Sequence, residues 1–268
     1  MIRKHDFQKL DYQVQFELKN AIEKAKKESK NNDFYLFLGN AQYIESLKET
    51  GDIPYVIDYH PDKRHDSFRL NVLMEYLNAN YSFNSENTVD SFLSVTFELM
   101  IYSHMWESKP FLKQFFRFAQ LTNGLDYSWD VDVPDMTKYE FIKEIREMFE
   151  KVNLKIADII KSSYNSSLRN AFAHSEYNFG HGTPEIFLTN YKGKASYEIK
   201  SLTFDEWTER FCKSFLIGYH FQNLIYAERI KLEDNKEYNV ILRDRNGAKK
   251  NGLLLYDRQK DSFIAKIE

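Results

Sequence analysis

The chain is poor in residues that staple or interrupt structure. Its single cysteine, Cys212, excludes an internal disulfide and any thiolate-rich zinc site, and its place in an apolar helical stretch fits a buried thiol in a reducing compartment. Nine glycines and five prolines among 268 residues leave long elements without a breaker, so a mainly helical globular protein is expected. Neither charge dominates. With a formal net charge of −3 and a pI of about 6.2, no global field draws the chain to nucleic acid, and an RNA partner must use a local basic tract. No apolar run approaches the roughly 20 residues of a membrane span. The start, Met1-Ile2-Arg3-Lys4-His5-Asp6, enters charged amphipathic sequence without an apolar signal core. A cytoplasmic protein with no membrane partner is the expectation. Glycine-rich phosphate loops, GxSxG elbows, paired zinc-ligand motifs, internal repeats and low-complexity segments are also lacking.

What is abundant is apolar and aromatic surface: 22 Phe and 18 Tyr can fill a sizeable core. Phe7, Leu10, Val14, Leu18, Ala21 and Ala25 form one stripe of a helix that runs to about Lys30. A second helix is expected from Phe34 to Leu47, closed by Thr50-Gly51, then an irregular connection or short strand from Ile53 to Asp66 and a helix from Phe68 to Leu77. Asn78 to Asn87, rich in Asn and Ser, reads as an internal boundary. Val89 to Trp106 is apolar almost all round, which suits the middle of a bundle. Pro110 opens a helix with Phe111, Leu112, Phe115, Phe118 and Ala119 on its apolar face, ending at Asn123-Gly124. Lys109, Lys113 and Arg117 recur outside that face as a basic stripe, a candidate track for an RNA backbone, although a row of this kind is more often a solvated helix face.

Beyond an acidic loop, Ile142, Ile145, Phe149, Val152, Ile156 and Ile159 mark one long packed helix from Met136 to Ser162. Ile186 to Thr189 and Ser196 to Lys200 read as a hairpin. Thr203-Phe204-Asp205-Glu206 is a capping box that opens a helix running to about Arg229. The tail alternates as three short strands from Tyr238 onward, too little to stand alone, so it should dock on the helices or on a partner.

Chemistry shows in one stretch, Ser166-Ser167-Leu168-Arg169-Asn170-Ala171-Phe172-Ala173-His174-Ser175-Glu176-Tyr177. On a helix that advances about 100° per residue, Asn170 and His174 share a face about 40° apart, whereas Arg169 and His174 diverge by about 140°. For both to act on one phosphate, the arginine must swing round, the helix must end near His174, or a second copy of the chain must complete the site.

The segment resembles the HEPN superfamily (higher eukaryotes and prokaryotes nucleotide-binding domains), marked by an arginine, usually followed by a polar residue, then four to six residues and a histidine; here it stands as Arg169, Asn170, three residues and His174. The resemblance spans roughly residues 87 to 230. One toxin branch carries a tyrosine two places after the histidine; here Glu176 stands at that place and Tyr177 follows it. The fold it implies over 87–232 is a HEPN-type helical bundle. Residue patterning adds a helical N-terminal extension over 1–86, a β-hairpin after the motif helix and a small C-terminal β-meander over 233–268, so the chain is expected to be mainly α. The activity it implies is that of a metal-independent endoribonuclease with no cofactor, a homodimer with the motif at the shared cleft, leaving 2′,3′-cyclic phosphate and 5′-hydroxyl ends. A toxin or antiviral defence effector is the matching biology, with an antitoxin or defence-system partner; a HEPN fold that binds RNA or protein without cutting is the alternative.

The residues fit that chemistry on their own terms. RNA carries its nucleophile, the 2′-hydroxyl, beside each phosphate. His174 can move a proton near neutral pH, Arg169 offers a planar charged fork to phosphoryl oxygens, Asn170 could orient the imidazole or the phosphate, and Tyr177 could add a hydrogen bond. The plain alternative is a surface ion pair for Arg169 and a helix-capping role for His174. His60 and His65 sit in a loop without helical ligand spacing. His104 and His220 read as satisfied core histidines, and His181 as a loop residue.

Overall fold

A computed structural model describes residues 2–59, 71–72, 74–75, 92–190, 199–234 and 236–268. The expected helix over Phe68–Leu77 lies largely outside these residues, as do the boundary over Asn78–Asn87, the His60/His65 loop and the turn of the expected hairpin. The fold is mainly helical with small antiparallel sheets. In chain order it runs α1 (Lys4–Glu28), α2 (Asp33–Leu38), β1 (Gln42–Tyr43), α3 (Glu45–Glu49), β2 (Tyr55–Val56), α4 (Phe92–Glu107), α5 (Lys109–Thr122), α6 (Lys138–Lys151), α7 (Ile156–Ser163), α8 (Ser166–Ala173), β3 (Tyr177–Phe179), β4 (Glu185–Leu188), β5 (Ser201–Thr203), α9 (Phe204–Ile230), β6 (Glu237–Arg243), β7 (Lys249–Asp257) and β8 (Ser262–Ile267).

Where the helices stop follows one physical rule. A residue in the left-handed region one place past the cap turns the chain back, so that two backbone N–H groups reach the last open carbonyls. Gly51 (φ 86°) and Gly124 (φ 64°) do this after α3 and α5, at the two ends legible in the sequence. Asn40 (φ 44°) ends α2, with Ala41 N donating to Leu36 O at 2.9 Å. Asn153 (φ 57°) ends α6, with Leu154 N donating to Phe149 O at 3.0 Å. These asparagine stops correct two expectations: the helix from Phe34 to Leu47 is two short helices joined through β1, and the long helix from Met136 to Ser162 is α6 and α7. The capping box forms as expected, with Thr203 N donating to Glu206 Oε2 at 2.8 Å and Glu206 N to Thr203 Oγ1 at 3.2 Å.

The chain divides into two compact units. The first comprises Met1–Glu17, Arg69–Ser108 and Lys155–His220; the second comprises Leu18–Phe68, Lys109–Leu154 and Phe221–Glu268. In the first, α4, α7, α8 and the N-terminal part of α9 bury Val95, Leu99, Tyr102, Trp106, Ile160, Leu168, Trp207 and Phe211. Both indole donors of that core are paired: Trp207 Nε1 donates to Glu98 Oε2 at 2.7 Å and Trp106 Nε1 to Ser214 Oγ at 3.1 Å, as burial favours. The same unit holds the antiparallel sheet β3-β4-β5, with Tyr177 opposite Leu188 and Ile186 opposite Leu202. Burial of α4 all round is corrected, because Phe92, Leu93, Phe97 and Met100 are exposed along one side.

In the second unit Phe37, Phe115, Phe118, Phe149 and Phe221 interlock, with centroids 5.1–6.2 Å apart. The meander β6-β7-β8 docks on helices of this unit. Tyr238 lies 4.3 Å from the ring of Tyr35 on α2, and the buried Arg229 near the end of α9 pairs with Asp58 and Asp261 at 2.9 Å each.

Candidate active site

Helix α8, which carries the arginine and the histidine, is fixed at both ends. At its start Asn165 is the N-cap, its Oδ1 accepting from Leu168 N at 2.8 Å. The Asn165 N–H in turn donates to the phenol of Tyr102 at 2.8 Å. That phenol is buried in the α4 core, which pushes its pKa above the ordinary tyrosine range. Asn190 Nδ2 donates to Ser167 O at 2.6 Å and ties the first turn to the segment after β4.

The helix ends at the histidine. His174 is the C-cap residue, its N–H bonded to Asn170 O at 3.0 Å. Ser175 then takes the left-handed conformation (φ 56°) that glycine or asparagine supplies at the other stops. Ser175 N donates to Phe172 O at 3.1 Å and Glu176 N to Ala171 O at 2.7 Å, and the chain passes directly into β3. Of the three arrangements open from the sequence, the early helix end is therefore present.

His174 is exposed, and Asn170 and Tyr177 are half-buried. Among the described residues their side chains make no hydrogen bond, leaving donors and acceptors free for a ligand. The Tyr177 ring is held 5.7 Å from those of Phe172 and Phe179. Arg169 differs: its Nη1 lies 2.8 Å from Glu107 Oε1, and its side chain keeps 19% of its surface exposed. The guanidinium is thus oriented from α4, on a side chain that is mostly buried and partly exposed. Sequence reasoning missed Glu107, although a signal existed. A glutamate as the last residue of a helix opposes the helix dipole, which suggests a role beyond the helix itself.

The basic stripe is corrected at Arg117, which turns inward. Arg117 is 1% exposed and donates to Ser128 O at 2.8 Å, Trp129 O at 2.9 Å and Asn40 Oδ1 at 3.4 Å. It holds the loop after α5 in place and offers nothing to a phosphate. Lys113 is half-buried and partnered. Lys109 is bound to Asp135 at 2.6 Å, and this lysine holds the Asp135 carboxyl below the usual aspartate range. All three belong to the second unit, whereas α8 belongs to the first.

The other histidines divide. His220 is buried with Nε2 2.8 Å from Asp11 Oδ1, a satisfied core histidine as expected. His104 is exposed, which corrects its core assignment, and His181 is exposed in the loop before β4. Among the described residues no group of three or more His, Cys, Asp or Glu could hold a metal ion, and no helix is long and apolar enough to cross a membrane. In comparison with known proteins, no family model, no curated protein and no solved structure matches the chain.

Proposed function

We propose that the chain is a metal-independent endoribonuclease of the HEPN type, working as a homodimer with the Arg169–His174 segment at a shared cleft. In this reading His174 takes the proton of the 2′-hydroxyl, whose oxygen forms a bond to the adjacent phosphorus as the bond from phosphorus to the 5′-oxygen breaks. Arg169 neutralises charge on the non-bridging oxygens. The 5′-oxygen leaves with a proton from a second acid, which His174 of the other copy can supply. The products are a 2′,3′-cyclic phosphate and a 5′-hydroxyl, and DNA, lacking the nucleophile, is not cut. Asn170 and Tyr177 orient the imidazole and the phosphate. The resemblance extends this to a toxin or antiviral defence effector.

The observation that carries the reading is the exposed cap position of His174, five residues beyond an arginine that is held by Glu107 and partly exposed. The test is incubation with total RNA in EDTA beside Arg169→Ala and His174→Ala variants, with end-group analysis. Cleavage to cyclic-phosphate ends that both substitutions abolish is expected; an intact RNA pool with a folded, dimeric preparation refutes it.

One observation favours a second reading, a non-catalytic HEPN-fold module that binds RNA or protein within a defence complex. Glu107 already supplies Arg169 with a carboxylate, as it would in a purely structural pair. That reading expects binding that survives His174→Ala and no cleavage in the wild type.

A further inference from the structure

The first unit contains a cleft of about 530 Å³ between β5 with its leading segment, the end of α7 and the N-terminal part of α9. Lys200, Arg210 and Lys213 line it, with the hydroxyl residues Ser162 and Ser201. Two carboxylates also reach the wall, but both are engaged: Glu206 closes the capping box with Thr203, and Glu209 pairs with Lys213 at 2.6 Å. Among the described residues neither Lys200 nor Arg210 forms an ion pair at contact distance; Arg210 feels Glu206 only through space, because that carboxylate is hydrogen-bonded to Thr203. Lys200 is exposed. Arg210 is partly buried and poorly satisfied: its Nη1 reaches the carbonyl oxygens of Ser163 and Tyr164 only at 3.4 Å each, and its Nε is buried with no hydrogen-bond partner among the described residues.

A guanidinium normally completes its fork with carboxylate or phosphate oxygens. Leaving buried donors of a permanent cation unmet is unfavourable, so the cleft has a standing demand for an anion. Its volume exceeds that of a simple ion and falls in the range that holds a small organic ligand. Among the described residues no aromatic ring lines it, so these residues offer a charged group to grip rather than a platform on which a base could stack.

We propose that this cleft is a phosphate-binding site, in which Arg210 and Lys200, with the hydroxyls of Ser162 and Ser201, grip the phosphate group of a nucleotide or of an RNA strand. It stands apart from the strand-cutting reading, since it requires neither His174 nor cleavage.

The test uses the full chain carrying His174→Ala, so that no probe is consumed. Binding is measured for three probes: a fluorescent single-stranded RNA by anisotropy, and ATP and inorganic phosphate by calorimetry. Arg210→Gln and Lys200→Glu are each expected to weaken binding at least about tenfold, the scale of a lost charge-assisted hydrogen bond. For RNA, the slope of log affinity against log salt should shrink by about 0.7 per phosphate contact removed. Loss confined to RNA assigns the strand as ligand; loss for ATP or phosphate assigns the free nucleotide or anion. Wild-type-like binding of every probe in Lys200→Glu, an exposed position where folding is not at stake, overturns the proposal, as does the absence of binding by all three probes. Because no cleavage is read, failure here is distinct from failure of the ribonuclease reading.

Discussion

Ser175 is where the geometry of the candidate site can be tested through the backbone alone. It sits at φ 56°, and its conformation lets Ser175 N reach Phe172 O and Glu176 N reach Ala171 O. The left-handed conformation costs an L-residue roughly 1–2 kcal/mol, and glycine removes that cost while losing roughly 0.5–1 kcal/mol through its freer unfolded chain. Ser175→Gly should therefore stabilise the protein by about 0.5–1 kcal/mol, or raise Tm by roughly 1–4 °C. Ser175→Pro does the reverse. Proline fixes φ near −65° and has no N–H, so both closing bonds are lost, and a cost of about 3 kcal/mol or more is expected. Thermal and denaturant unfolding measure these shifts. On the proposed ribonuclease reading, an RNA-cleavage assay reads the second consequence: the glycine variant should keep activity because the cap is intact, whereas the proline variant should lose it because His174 no longer has a fixed seat. A lowered midpoint for Ser175→Gly, or wild-type stability with Ser175→Pro, would refute the reasoning.

On the proposed ribonuclease reading, Glu107→Gln removes the carboxylate that competes with a phosphate for Arg169; the pair is half-buried, so the roughly 0.2–1 kcal/mol of an exposed pair is a lower bound, and RNA affinity measured in the His174→Ala background should rise at least about twofold. Arg117→Met should lower unfolding stability by about 3 kcal/mol or more, because the carbonyls of Ser128 and Trp129 lose their donor. Arg117→Lys should rescue little of that, since a point charge cannot replace the fork. Unchanged stability with weakened RNA binding would restore Arg117 to an RNA-binding role. Burial pushes the Glu228 carboxyl upward, but hydrogen bonds from Lys231 and Lys26 outweigh it and hold the group below its usual range. With the folded pKa depressed, the stabilisation is present above the unfolded value near about 4.3 and is lost as pH falls through the folded one. The difference in unfolding midpoint between wild type and Glu228→Gln should be widest near neutrality and close with acidification; a gap that grows in acid would contradict it.

How much of this was legible depends on whether the signal was local. Apolar spacing along α1, α5 and α9 is a property of the sequence itself, and those helices, the capping box at Thr203 and the alternating strands of the meander formed where expected. The glycine stops at Gly51 and Gly124 were readable because glycine is the default left-handed residue. Asn40, Asn153 and Ser175 do the same work less visibly, since an asparagine or serine signals many things besides a helix end; reading them needs the two closing hydrogen bonds, which exist only in the fold.

The same division runs through the site. The sequence by itself placed Arg169, Asn170, His174 and Tyr177 in one short segment and established which proton and charge chemistry those groups can perform. Only the tertiary structure decided that α8 stops at His174, that Glu107 meets Arg169 from α4, and that Arg117 turns inward to the carbonyls of Ser128 and Trp129. Local spacing fixes the direction in which a side chain leaves its helix. What it then encounters is set by segments far away in the chain, and burial or pairing with those segments determines whether a charge is spent inside the protein or remains for a ligand.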